Sequence, residues 1–256
     1  MDLKLTGLTA LVTGASRGIG RAVAEELARE GCHLHLASRS AVDLEAVRAG
    51  IAKEHKVKVQ CHALDLGVSA NIATLAKAAG DVDILVNNAG VTPSGELLKI
   101  DEKQWREGWE LKLFGYINLT REMLTPMMQR KSGVIVNVIG MAGVKPSFDY
   151  ICGATANAAL NAFTKGVGAG SVNHGVRVLG VNPAATRTDR IITLTKARAK
   201  TTFGDESRWE ELLSNMPFGR VAHAEEVADT VVYCASDRAS YLSGTMIDID
   251  GGGLYR

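Results

Sequence analysis

Short apolar runs alternate along the chain with longer stretches whose apolar positions recur at helical spacing. Thr9–Thr13, His33–Ser38, Lys58–Ala63, Ile84–Asn87, Val134–Val138, Val176–Val181 and Met246–Asp250 read as strands. Several are nearly continuous in Val, Ile, Leu and Ala, the pattern of parallel strands covered on both faces. Between them Gly18–Glu30, Ala41–His55, Ala70–Ala79, Asp101–Arg130, Ala154–Val172 and Ala224–Ala235 read as helices. Repeated strand–helix–strand order predicts a single α/β domain built on a doubly wound parallel sheet. Ligands then sit beyond the carboxyl ends of the strands. Asp189–Asn215 breaks the rhythm: it is polar and weakly periodic, and a stretch of that length is expected to be a mobile lid over a substrate. No internal repeat, low-complexity stretch or linker interrupts the pattern.

The first strand runs into Thr13-Gly14-Ala15-Ser16-Arg17-Gly18-Ile19-Gly20, and a helix follows. A diphosphate needs backbone N–H donors at close range and the positive end of a helix, and glycines permit both the tight turn and the close approach. A strand before and a helix after the glycines make this a Rossmann-type nucleotide site. The second strand ends in Ala37-Ser38-Arg39-Ser40, with Arg39 nineteen positions after Gly20. An acidic residue there would bind the ribose 2′-hydroxyl and repel a 2′-phosphate. Instead Arg39 and Arg17 are placed to clamp a 2′-phosphate through charge-assisted hydrogen bonds. The expected cofactor is therefore NADP(H), with NAD(H) second. Asp65-Leu66 after the third strand is placed near the adenine, although an aspartate there serves equally well as a turn or N-cap residue.

With Asn87-Asn88-Ala89-Gly90 after the fourth strand, the glycine turn resembles the short-chain dehydrogenase/reductase family. Further matches are Asn182-Pro183-Ala184-Ala185-Thr186-Arg187-Thr188, which has Ala184 where the family has glycine, and Pro217-Phe218-Gly219-Arg220, Glu225-Glu226-Val227-Ala228, Ala235-Ser236-Asp237, Ser243-Gly244 and Asp250-Gly251-Gly252. The likeness runs from about Leu5 to Gly253. It implies a seven-stranded parallel sheet with three helices on each side, assembly as a homotetramer or homodimer, and hydride transfer between a nicotinamide and a small carbonyl or alcohol substrate. It implies that Gly14, Ser16, Arg17, Gly18, Ile19 and Gly20 hold the nucleotide, together with Arg39, Asp65 and Leu66. Asn88, Ala89, Gly90, Asn157, Pro183, Ala184, Thr186 and Thr188 complete that set.

The family transfers its proton through a tyrosine, assisted by a lysine four residues later, a serine and an asparagine. None of the five tyrosines, Tyr116, Tyr150, Tyr233, Tyr241 and Tyr255, is followed by lysine at that spacing. Asn157-Ala158-Ala159-Leu160 resembles the stretch that opens at the family's lysine, which puts Gly153 at the tyrosine. Val134–Gly143 resembles the strand ending in the serine, which puts Gly140 there. The two anchors lie thirteen positions apart (140 to 153), the family's own spacing. In the long helix Lys112 falls at the asparagine. No phenol–ammonium couple is therefore expected beside the nicotinamide. Lys112, with a stem long enough to reach the emptied space, Tyr150, three residues before Gly153, and Asn157 are the candidate catalytic residues. The expected activity is an NADP(H)-dependent oxidoreductase with a non-standard proton-transfer group; the alternative is an inactive NADP(H)-binding homologue with a regulatory role.

Composition removes other classes. The net charge is +1 with 22% charged residues, which lacks the basic excess of a nucleic-acid or membrane-surface binder. No apolar run reaches the roughly 18 residues that cross a bilayer. The opening Met1-Asp2-Leu3-Lys4 leads directly into a strand pattern, so no signal peptide is expected. Cys32, Cys61, Cys152 and Cys234 are scattered without a paired motif, as in a reduced, cytoplasmic protein. The six histidines show no ligand spacing, and no metal is expected.

Overall fold

The computed structural model describes residues 1–256, with the side chains at positions 190 and 194 excepted. Seven strands form the central parallel sheet: β1 (Thr9–Thr13), β2 (His33–Ser38), β3 (Val59–Ala63), β4 (Ile84–Asn87), β5 (Gly133–Val138), β6 (Val176–Pro183) and β9 (Met246–Ile249). Their order is β3-β2-β1-β4-β5-β6-β9. A two-residue parallel pair, β7 (Thr186–Arg187) with β8 (Ala222–His223), lies outside it; runs that short leave no periodicity to read.

The continuous apolar strands are covered on both faces, as expected. Ala10, Leu11 and Val12 of β1 are fully buried, yet they belong to two different cores because successive side chains point to opposite faces. One core holds α1 (Gly18–Arg29), α2 (Ala41–Glu54) and α8 (Ala224–Ala235) against the sheet. The other face carries α3 (Ser69–Ala79), α5 (Gly115–Arg130) and α6 (Ile151–Ser171). On this second face a buried amide–hydroxyl network ties the central strands to the helices. Asn87 donates to Thr120 and to Asn137, and Asn137 donates to Thr164, all within 3.1 Å.

Two expected elements differ. Asp101–Arg130 is not one regular helix: α4 (Glu102–Trp109) passes through a π-helical turn at Glu110–Phe114 before α5 begins. The extra residue per turn does not disturb hydrophobic spacing enough to be seen in sequence. The stretch expected to be a mobile lid is largely helical: α7 (Asp189–Phe203) is capped by Thr188, whose hydroxyl accepts from the Ile191 N–H, and a 3₁₀ helix covers Glu206–Leu213. Its polar composition reflects exposure on most sides. Among the described residues no helix is long and apolar enough to cross a membrane, and no group of three His, Cys, Asp or Glu is placed to hold a metal ion.

Candidate active site

The sheet order reverses between β1 and β4, and a cleft of about 920 Å³ opens there at the carboxyl ends of the strands. The glycine turn forms its floor. Gly14 and Gly18 have φ of +67° and +57°, which side chains disfavour. Arg17 stands at the N-cap of α1 without a side-chain cap, and the first turn carries no acidic residue. Its leading N–H groups are left for an anion. Thr13 joins the turn to β4: its hydroxyl accepts from the N–H of Asn88 and of Ala89 at 2.9 and 3.0 Å. Asn88 in return donates to the Thr13 carbonyl at 2.9 Å.

Most residues expected to hold the nucleotide line this cleft, from Gly14 through Asn88–Gly90 to Pro183, Ala184, Thr186 and Thr188. Gly20 does not. It is buried behind the turn, where a Cβ would lie 2.4 Å from the Gly14 carbonyl oxygen and from Asn88 Nδ2. Its role is to let helix and turn close on each other.

At the β2 end Arg17 and Arg39 are exposed, and among the described residues neither has a carboxylate partner within ion-pair range. Beside Arg39 the Ser38 hydroxyl is buried without a protein partner. Ser38, Ser40 and Asp43 also line this end; short polar side chains on a strand-to-helix turn are too common for the sequence to single them out. Asp65 lines the cleft, but its Oδ1 accepts from the Gly67 N–H at 3.0 Å, so the side chain also serves as a turn residue.

The other end of the cleft holds the three candidate catalytic residues. Gly140 has a φ of +130°, and a Cβ there would stand 3.1 Å from Asn157 Nδ2. Asn157, buried in α6, points that amide at the Gly140 carbonyl. Tyr150 lies over Gly153 so closely that a Cβ at 153 would be 2.2 Å from its Cζ and 2.5 Å from its hydroxyl. The Tyr150 hydroxyl is 2.7 Å from that of Thr92, a buried residue on the loop after β4. Gly95 N–H donates to the Asp149 carbonyl at 2.8 Å and pins the same two loops together. Nothing in the sequence pointed to Thr92.

Lys112 lies in the cleft wall but does not extend into open space, as its length had suggested. Its Nζ donates to the carbonyls of Val138 and Ile139, both at 3.1 Å, and to the Tyr116 hydroxyl at 3.2 Å. A phenol–ammonium couple thus does exist, in the reversed order Lys112-x-x-x-Tyr116. A helix brings together residues four apart in either direction. The tyrosine of this couple is 2% exposed and shut away behind the cleft wall, and burial pushes its phenol far up from the ordinary tyrosine range.

Residues 8–199 match the short chain dehydrogenase family. The chain belongs to that family. The 3-oxoacyl-(acyl-carrier-protein) reductase FabG of Haemophilus influenzae is 33% identical over 255 residues, covering 97% of this chain and 98% of the relative. Among solved structures, L-sorbose reductase from Gluconobacter frateurii, complexed with NADPH and L-sorbose, superposes with a TM-score of 0.94 at 29% identity over the full length of both chains. A putative NAD(P)-dependent gluconate 5-dehydrogenase from Beutenbergia cavernae, with bound NADP, gives 0.88 at 30% identity, again over both full chains.

Proposed function

We propose that this protein is an NADP(H)-dependent oxidoreductase acting on a small carbonyl or alcohol, with a proton-transfer group unlike the family's usual tyrosine, lysine, serine and asparagine. The solved relatives hold NADPH or NADP. In this chain the uncapped start of α1 and the exposed pair Arg17 and Arg39 fit a diphosphate and a 2′-phosphate. Thr186 and Thr188 on the facing loop, with Pro183 and Ala184, would border the nicotinamide. When bound, that ring supplies or accepts a hydride.

The chain's own share is the proton. Glycines at 140 and 153 carry no group that could move one. The observation behind the reading is that the Tyr150 ring occupies the space a side chain at 153 would fill, with its hydroxyl in the cleft and 2.7 Å from Thr92. In carbonyl reduction the Tyr150 O–H donates to the substrate oxygen, and the Thr92 hydroxyl donates to the phenolate left behind; solvent returns the proton. In oxidation the same transfers run backward. Asn157 offers its uncharged amide to ribose hydroxyls, and Lys112 supplies the positive charge at this end. A positioned proton donor is typically worth about 10²–10⁴ in rate.

Titration of nicotinamide fluorescence reports binding, and absorbance change with a panel of ketones, sugars and alcohols reports turnover. Tyr150→Phe should lower kcat about 10²-fold or more with little change in NADPH affinity. Tight NADPH binding with no turnover on any substrate would favour the regulatory alternative instead. Assembly as a dimer or tetramer belongs to the same reading and is measured by light scattering.

A further inference from the structure

The surroundings of the Lys112 Nζ suit an ammonium. Three oxygens surround its Nζ: the Val138 and Ile139 carbonyls and the Tyr116 hydroxyl. The Tyr116 hydroxyl lies 2.7 Å from the Val138 carbonyl, a separation between two oxygens that requires a proton between them. That proton is the phenol's own, so its oxygen can only accept from Nζ. Nζ thus faces three acceptors, matching the three N–H donors of an ammonium. The Tyr116 ring lies 4.7 Å from Nζ, within cation–π range. Gly90 makes room for the stem, since a Cβ there would stand 2.4 Å from Lys112 Cδ. The site is thus built for a charge in the cleft wall, with Tyr116 as its positioning residue.

The place of this charge follows from the sheet. A dinucleotide with its diphosphate at α1 and its 2′-phosphate at Arg39, on the β2 side, runs the other way across β4 and β5. Lys112 is bonded to the carbonyls at the end of β5. We infer that Lys112 sets the redox-state preference of the nucleotide site: its fixed charge repels the cationic oxidised nicotinamide and spares the neutral reduced ring. This rests on the nucleotide reading above. At an effective dielectric of about 20, a like charge in the wall of a site changes a binding ratio by about tenfold.

The test is equilibrium titration of the full chain with NADPH and NADP⁺ separately, on the wild type and on Lys112→Met and Lys112→Gln. The wild type should hold NADPH about tenfold more tightly than NADP⁺, and both neutral variants should bring the two affinities within about threefold. General damage to the fold weakens both nucleotides together and leaves their ratio alone. Equal wild-type affinities overturn the inference without any variant, as does an unchanged ratio in either variant. A wild type that binds neither nucleotide overturns the nucleotide reading itself, and with it this one.

Discussion

Gly153→Ala tests whether Tyr150 really fills the place of a side chain at position 153. The added methyl would lie 2.2, 2.4 and 2.5 Å from Cζ, Cε1 and the hydroxyl of Tyr150, well inside the roughly 3.5–4.0 Å of favourable carbon contacts. The ring must swing away as a unit. It then loses the Thr92 bond, worth about 0.5–1.5 kcal/mol, and strains its surroundings by about 1–3 kcal/mol, as overpacking usually does. Against this, alanine is better than glycine within a helix by about 1 kcal/mol. The net expectation is a loss of about 0.5–3.5 kcal/mol, or a few degrees in Tm. With Tyr150→Ala already present the ring is gone, only the helical gain remains, and Gly153→Ala should stabilise by about 1 kcal/mol. Urea unfolding of the wild type, both single variants and the double variant measures this reversal of sign. If Gly153→Ala stabilises the protein in both backgrounds, Tyr150 does not lie over Gly153, and its assignment to proton transfer loses its support.

Three further outcomes are expected. Arg39→Ala should weaken NADPH about tenfold or more while leaving NADH nearly unchanged, because a charge-assisted bond to the 2′-phosphate is worth about 1.5–3 kcal/mol; the ratio of the two dissociation constants measures it. His35 and His62 stack at 5.1 Å with ring nitrogens 2.9 Å apart, and burial lowers both pKa values. The unfolded chain therefore takes up protons first: their contribution to stability is complete above the ordinary histidine value of about 6.5 and is lost as pH falls through the lowered values. Urea midpoints should fall below pH 6.5, and replacing both residues by Gln should flatten that slope. Finally, Cys32, Cys152 and Cys234 are buried, Cys61 is partly exposed, and burial pushes up all four thiols, Cys32 to about 12 and Cys234 to about 11. A thiol-specific disulfide reagent should titrate at most Cys61 in the native protein and all four in urea.

The backbone of the fold was legible because it rests on local rules. Continuous apolar runs at β1, β4 and β5 announce doubly covered strands, and glycines at 14 and 18 mark a turn that only they adopt easily. The glycine turn was legible for the same reason, since Gly14 to Gly20 are neighbours in the chain. What stayed hidden involves groups distant in sequence or irregular in spacing. The π-helical turn at Glu110–Phe114 alters the helix without altering its hydrophobic stripe. Thr92 matters only because a loop after β4 meets the loop before α6, and Ser38 stands out only because its hydroxyl is buried without a partner.

By itself, then, the sequence determined the order and type of the elements, the glycine turn and the arginine at the end of β2, all consequences of local backbone sterics and periodic burial. It also showed which residues stand at 112, 140, 153 and 157. Only the tertiary structure decided what fills the space beside the two glycines, because a vacancy is taken by whichever side chain packing brings there. Tyr150 turned back over Gly153, and Lys112 was drawn to the carbonyls of β5 and the phenol of Tyr116. Buried charges and hydroxyls settle where their hydrogen bonds can be completed, and those partners are set by the fold rather than by their distance along the chain.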